Sequence, residues 1–340
     1  MIQVSPQVRR NARFLITGAG GFIGRQLVRY LRGSVGELRA VTRNRGKGKP
    51  DWVDGQVNIV HADLTRPETI NHVCDGIDTV IHLASYGRDV RAIESRSEEG
   101  HRSVTVGGTR SLLEAALHAG VKRFIFASSV RAMGEFGTEM LDETAVARPA
   151  TTYGRSKLAA EALLFEAGRQ HGINVCALRF PLVYGLGVEG SIQGMITAVD
   201  HRWFPPLPNF DNKRSMVHVD DAIQAIFLAA ENDESNGKTY IVTDGLAYST
   251  RSIYEAICHG LGRPVPEWTV PIPLLRLGVL TGETIGRLLG RPLPLNRDVY
   301  RKLTGSAWYS SDKIVRELGY RPQRTLYDTL PEMIEEYRQQ

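Results

Sequence analysis

The chain has 340 residues, too many for one minimal domain and about right for a large α/β unit with a smaller lobe. Hydrophobic residues make up 42% and charged residues 23%, which excludes a disordered chain. Lysine and arginine number 42 against 37 acids, for a net charge of +5. The basic residues are scattered, with no polybasic block or aromatic–basic ladder, so nucleic acid is not an expected partner. A mild positive balance suits a small-molecule cofactor or substrate that carries phosphates. Cys74, Cys176 and Cys258 lack metal or redox spacing and read as buried thiols in a reducing compartment; no metal centre is expected. The N-terminal MIQVSPQVRRNAR has no apolar signal core. The most apolar long stretch, Val270 to Leu289, is interrupted by Arg276, Glu283 and Arg287. A cytoplasmic protein with no membrane span is the expectation.

Residues 1–11 are a polar lead-in. Arg13 to Ile16 is a short apolar run ending in glycines, which predicts a buried strand, and Phe22, Ile23, Leu27 and Leu31 follow at helical spacing over 21–32. Further strands are predicted at 38–42, 57–60, 79–83, 124–127 and 175–178, with helices over about 103–119 and 152–170. The strands are apolar throughout rather than alternating, as burial on both faces requires. Strands alternating with helices imply a Rossmann-type, doubly wound parallel α/β sheet. Residues 1–180 form the predicted dinucleotide-binding domain. Residues 181–340, with prolines clustered at 205–208 and 264–273, form mainly a substrate lobe, from which about 214–244 returns to the sheet.

Thr17 to Gly24 reads TGAGGFIG between a predicted strand and a predicted helix. Gly18, Gly21 and Gly24 allow a tight turn, close approach of a pyrophosphate, and close packing of helix on sheet. The helix N-terminus at Phe22 and Ile23 then points backbone N–H groups at the anion. After the second strand stands Arg43, where a carboxylate would bind the ribose hydroxyls of NAD. Arg43 can hold a 2′-phosphate, so NADP is favoured over NAD; a solvated basic loop is the plainer alternative. Asp63, at the end of the third strand, is placed to accept from an adenine amino group or to cap the turn before Pro67.

Tyr153 and Lys157 lie four apart, on one face of the predicted helix. A free tyrosine has a pKa near 10, and a neighbouring ammonium favours its phenolate. Ser129 ends the apolar run Phe124 to Ala127, at the carboxyl end of a strand where sites of doubly wound sheets lie. Tyr–x–x–x–Lys alone is frequent by chance, and the serine alone could be a turn residue.

The ordered pieces TGAGGFIG, ADLT, VIHLAS, VGGTRSLLEAA, FIFASSV, YGRSK, LRFPLVYG, VHVDDA and SSDKIVRELGYRP span nearly the whole chain. Together they resemble the extended short-chain dehydrogenases/reductases, in the NAD-dependent epimerase/dehydratase family. The resemblance implies that Tyr153 exchanges a proton with substrate, that Lys157 tunes it and binds the cofactor ribose, and that Ser129 polarises the same oxygen. It implies cofactor contacts from Leu64, Leu83, Ala84, Ser85, Ala127, Phe180 and Pro181. It implies substrate contacts from Ser85, Arg131, Tyr184 and Arg214, with Arg301 as a second cation on a nucleotide-sugar diphosphate. A salt bridge from Arg214 to Asp220 or Asp221 is the competing reading. A homodimer through the helices at about 101–119 and 152–170 is also implied.

Departures from the family pattern narrow the reaction. Val130-Arg131 follow Ser129 where sugar dehydratases of the family carry Asp-Glu, which argues against dehydration. Met133-Gly134 stands where 4-epimerases have Tyr-Gly. SSVRAMGE is similar to reductases and epimerases of UDP-4-keto-hexosamines, and Val270 to Pro322 resembles the hydroxysteroid-dehydrogenase-like branch. The expected activity is 4-keto reduction or 4-epimerisation of a nucleotide-linked sugar. Oxidoreduction of an apolar alcohol or ketone is the alternative, and a non-catalytic NADP-binding regulator a third.

Overall fold

The computed structural model describes residues 11–43, 55–86, 98–134, 139–188, 190–288 and 297–339. Most of the lead-in expected over 1–11, and the loop after Arg43, lie outside them.

Seven parallel strands form the main sheet: β1 (Arg13–Thr17), β2 (Glu37–Thr42), β3 (Asn58–His61), β4 (Thr79–His82), β5 (Arg123–Ser129), β6 (Asn174–Phe180) and β9 (Lys238–Ile241). Their order is β3-β2-β1-β4-β5-β6-β9. The chain therefore reverses direction of growth at β1, between β2 and β4. In such sheets a crevice opens beyond the carboxyl ends of the strands at the reversal. β7 (Leu182–Tyr184) and β8 (Met216–His218) pair separately as a two-stranded parallel sheet.

Eleven helices lie among the described residues: α1 (Phe22–Leu31), α2 (Glu98–Gly100), α3 (Gly108–His118), α4 (Thr152–His171), α5 (Ser191–Asp200), α6 (Val219–Glu231), α7 (Thr250–Gly260), α8 (Ile272–Leu288), α9 (Arg297–Thr304), α10 (Asp312–Leu318) and α11 (Leu326–Arg338). The sequence reads as one helix over 103–119. The structure instead runs α2, a π-helical stretch His101–Gly107, then α3.

Both faces of the sheet are covered. Leu27, Val28 and Leu31 of α1 pack with Ala222, Ile223 and Ile226 of α6 on one face, joined by Ile314 and Leu318 of α10. Leu112, Leu113 and Ala116 of α3 pack with Leu164 and Ala167 of α4 on the other. This two-sided cover explains why Phe14 to Thr17 and Val80 to His82 are buried at every position. A third core joins Ile196 of α5, Ile253 and Ile257 of α7, and Leu330 and Ile334 of α11. That core builds the C-terminal lobe beside the sheet. All three cysteines are buried and unbridged. Among the described residues no helix is long and apolar enough to cross a membrane, and no cluster of three His, Cys, Asp or Glu could hold a metal.

Candidate active site

Strand register brings Thr17 opposite His82, His82 opposite Phe126, and Ser129 opposite Phe180. The ends of β1, β4, β5 and β6 thus converge on one edge of the sheet.

At β1 the glycine turn is shaped by close approach. Gly18 has φ +70°, and a Cβ there would stand 2.7 Å from the Ala84 nitrogen. A Cβ on Gly24 would stand 2.2 Å from the Gly18 oxygen. Gly21 caps α1 without any side-chain hydrogen bond to the helix N-terminus. The N–H groups of the first turn are left for an anion, so the cradle fits the pyrophosphate of a dinucleotide. Phe22 packs against the core beside Gly185, and Ile23 is half-buried. Leu83 anchors to Thr17 through its N–H, and Ala84 and Ser85 continue half-buried past β4.

His82 ties this edge together and is fully buried. Thr109 Oγ1 donates to the Thr105 carbonyl at 2.6 Å, so it accepts from His82 Nε2–H at 2.9 Å. Nδ1 then accepts from Thr17 Oγ1 at 2.6 Å. The network assigns the Nε2–H tautomer. Burial, and secondly the Lys157 charge, push its pKa down to about 3.

The helix that carries Tyr153 starts where a glycine permits. Thr151 caps α4 by accepting from the Gly154 N–H at 3.0 Å. A Cβ on Gly154 would stand 2.2 Å from the Arg131 oxygen, in the short turn after Ser129. This contact packs the first turn of α4 against the end of β5. Lys157, one turn on, is 2% exposed, and its ammonium donates to the Ala127 carbonyl at 2.7 Å. Its Nζ lies 4.6 Å from the centre of the Phe126 ring and 5.9 Å from that of Tyr153. Burial pulls its pKa down to about 7, against the opposing pull of Glu161. Ser129 Oγ donates to the Phe180 carbonyl at 3.3 Å and accepts from the Arg131 N–H at 3.3 Å.

Other expected positions divide. Phe180 is buried and Pro181 half-buried at the end of β6. Leu64 is buried against Gly108. The Asp63 carboxylate accepts from Thr65 N–H and Oγ1 at 2.9 and 2.8 Å and caps its own turn; these bonds hold its pKa below the usual range. Arg214 Nη1 donates to the Gly305 carbonyl at 3.0 Å, and the Gly305 N–H donates to the Arg301 carbonyl, so the Arg214 side chain meets the backbone at the end of α9. Arg301 is exposed on α9 and Arg131 half-buried. Asp221 accepts instead from the Gln323 and Arg324 N–H groups. Tyr184, an expected substrate contact, ends β7. It is fully buried, and its hydroxyl donates to Asp244 at 2.9 Å, inside the C-terminal lobe.

His82, Tyr86, His101, Glu161 and Arg179 are not among the site residues expected from the sequence. His101 stands between Tyr86 and Tyr153, with ring centroids 5.0 and 5.8 Å away, and its buried Nδ1 has no hydrogen-bond partner among the described residues. A histidine inside the apolar run VIHLAS was the one visible signal, for His82.

Residues 14–243, more than half of the chain, match the NAD dependent epimerase/dehydratase family. The chain belongs to that family. It is an NAD(P)-dependent enzyme of the short-chain dehydrogenase type. It is 26% identical over 322 residues to UDP-glucose 4-epimerase of Vibrio cholerae, covering 92% of each chain. It is 28% identical over 346 residues to 3 beta-hydroxysteroid dehydrogenase/Delta 5-->4-isomerase of Mycobacterium tuberculosis, covering 96% of this chain and 90% of that protein. Among solved structures, MoeE5 in complex with UDP-glucuronic acid and NAD is 26% identical, with a TM-score of 0.75 over 96% of this chain and 99% of that one. The dTDP-glucose 4,6-dehydratase DesIV of Streptomyces venezuelae, with NAD and TYD bound, shares the fold at a TM-score of 0.77 and 23% identity, over 96% of this chain and 97% of that one.

These structures overturn the NADP preference read from Arg43. The dinucleotide that MoeE5 and DesIV hold is NAD, and NAD is favoured. Arg43 is exposed just past the end of β2.

Proposed function

We propose that this enzyme uses NAD to act at C4 of a nucleotide-linked sugar, by 4-epimerisation or 4-keto reduction. The observation that carries the reading is the buried Lys157 ammonium, pinned by the Ala127 carbonyl one turn from Tyr153 and beside Ser129. Likeness to a UDP-glucose 4-epimerase along 92% of the chain supports it.

NAD, when bound, supplies the hydride acceptor and donor. In this reading Tyr153 takes or returns the proton of the substrate C4 oxygen. The Lys157 charge favours the phenolate over the phenol. Ser129 Oγ turns from the Phe180 carbonyl to the same oxygen. Gly18, Gly21, Phe22, Ile23 and Gly24 cradle the pyrophosphate, and Asp63 and Leu64 border the adenine. Leu83, Ala84, Ser85, Ala127, Phe180 and Pro181 line the rest of the cofactor groove. Ser85 and Arg131 face the sugar, and Arg214 and Arg301 grip the diphosphate. A homodimer through α3 and α4 belongs to the same reading.

A second reading is a hydroxysteroid-type dehydrogenase. Likeness to the M. tuberculosis enzyme over 96% of the chain favours it, as do exposed Trp268, Ile272, Leu274 and Leu277 at α8. The test is product analysis by NMR after incubation with NAD and either UDP-galactose or a 3β-hydroxysteroid, and with NADH and a UDP-4-keto sugar. Conversion of either sugar supports the first reading. Oxidation of the steroid alone replaces it with the second.

A further inference from the structure

Glu161 is 2% exposed on α4, one turn beyond Lys157 and two beyond Tyr153. Its carboxylate accepts from Ser128 Oγ at 2.5 Å, Arg179 Nε at 3.0 Å and Arg179 Nη2 at 2.6 Å. Ser128 immediately precedes Ser129 at the end of β5, and Arg179 immediately precedes Phe180 at the end of β6. The strand register sets Ser128 opposite Arg179 and Ser129 opposite Phe180. One carboxylate therefore joins the three elements that carry Ser129, Tyr153 with Lys157, and the Phe180 carbonyl that holds the Ser129 hydroxyl.

A buried ion pair is weak evidence for stability, because desolvation offsets much of the attraction and an apolar pair of similar shape serves packing as well. The pair adds geometry and charge. Among the described residues, Lys157 faces Tyr153 on its own helix, Phe126 and the Ala127 carbonyl on β5, neutral His82 on β4 and His101 on the π-helical stretch, and the Arg179 guanidinium on β6 stands beyond Glu161 as the opposing charge. Glu161 stands four residues along the same helix from Lys157, where side chains are neighbours, and a buried carboxylate there favours the ammonium form.

We propose that Glu161, locked by Arg179 and Ser128, is a positioning residue that sets the charge of Lys157 and the alignment of Ser129 with Tyr153. The inference rests on the reading of Tyr153 and Lys157 as the proton-transfer pair. Without the Glu161 charge, Lys157 loses its proton at lower pH. The Tyr153 phenolate then loses its support near neutrality.

The test is an NMR titration of the Lys157 side chain in protein carrying 13C-labelled lysine, the signal being assigned by its loss in K157M. Wild type is compared with E161Q and with E161M/R179M, which replaces the whole pair by apolar residues and keeps the fold testable if E161Q does not fold. NAD affinity is measured on the same samples. In E161Q the Lys157 midpoint moves down by about one pH unit. NAD affinity at pH 7 falls several-fold and recovers as the pH is lowered and Lys157 regains its proton. The double variant moves the midpoint the same way by less. A midpoint unchanged from wild type in a folded variant, with or without a lower melting temperature, makes Glu161 a structural staple and overturns the inference. Wild-type protein that binds no NAD instead overturns the functional reading, while the midpoint comparison still stands.

Discussion

Replacing Gly154 by alanine should damage both stability and activity, and the sign of the stability change is informative. An added Cβ would stand 2.2 Å from the Arg131 oxygen, 3.0 Å from its carbonyl carbon and 3.1 Å from Pro149 Cβ. Backbone cannot swing aside as a flexible side chain does, so α4 or the 130–132 turn must move by about 1 Å. Overpacking of that kind costs about 1–3 kcal/mol. Intrinsic helix propensity pulls the other way, by at most about 1 kcal/mol in favour of alanine. Steric conflict therefore wins, and the melting temperature falls by about 1 °C per kcal/mol for a chain this long. The same movement separates Tyr153 from Ser129, and a misplacement of about 1 Å can lower turnover about 100-fold. Gly194 on α5 is the control, since a Cβ there meets nothing within 4 Å among the described residues and alanine should be neutral or stabilising. Thermal melts and turnover of both variants decide it. A G154A protein as stable as G194A, with wild-type turnover, would refute the reasoning about how Ser129 and Tyr153 are brought together.

Lys157→Met should abolish activity yet raise stability near neutral pH. The amine sits at about 7 in the fold against 10.5 when free, a difference worth at most about 5 kcal/mol and reduced by the lost bond to Ala127. The unfolded chain binds more protons between those values, so wild-type stability should rise from pH 7 toward 10 in denaturant titrations and the variant should lack that rise. The acid limb belongs to His82, which is held at about 3, so both proteins should lose stability as the pH falls from 6.5 toward 3. Gly24→Ala should weaken NAD binding at least about tenfold, because its Cβ collides with the Gly18 oxygen of the cradle; wild-type affinity by fluorescence titration would contradict that. Tyr184→Phe should cost about 1–2 kcal/mol through the lost bond to Asp244 while leaving NAD affinity and turnover unchanged; a selective loss of turnover would place Tyr184 in the site.

The main sheet was legible because strands buried on both faces read as unbroken apolar runs, as at Phe124 to Ala127. The glycine turn was legible because close backbone approach leaves no substitute for glycine at 18 and 24. Less could be read where pairing is short. β7 and β8 are three residues each, and nothing in their local pattern announces a separate sheet. The π-helical stretch at 101–107 keeps helical composition while shifting register, so one uniform helix was the natural expectation. Glu161 and Arg179 were illegible for a different reason. A charge on a predicted helix reads as a solvated face, and its partner lies 18 residues away on a strand. Tyr184 sits in a motif-like LVYG, but burial and Asp244 decide its surroundings, and neither shows in the local sequence. The Arg43 inference failed because one exposed loop cation does not by itself fix which dinucleotide binds, and the related structures hold NAD.

Proton transfer by Tyr153 at C4 is tested by the nicotinamide absorbance of NAD-loaded enzyme in a single turnover with UDP-glucose, wild type against Tyr153→Phe. Reduced nicotinamide should form in wild type, and about 100-fold or more slowly in the variant. Equal rates in the two proteins, or reduction that proceeds with NADP but not with NAD, would contradict it.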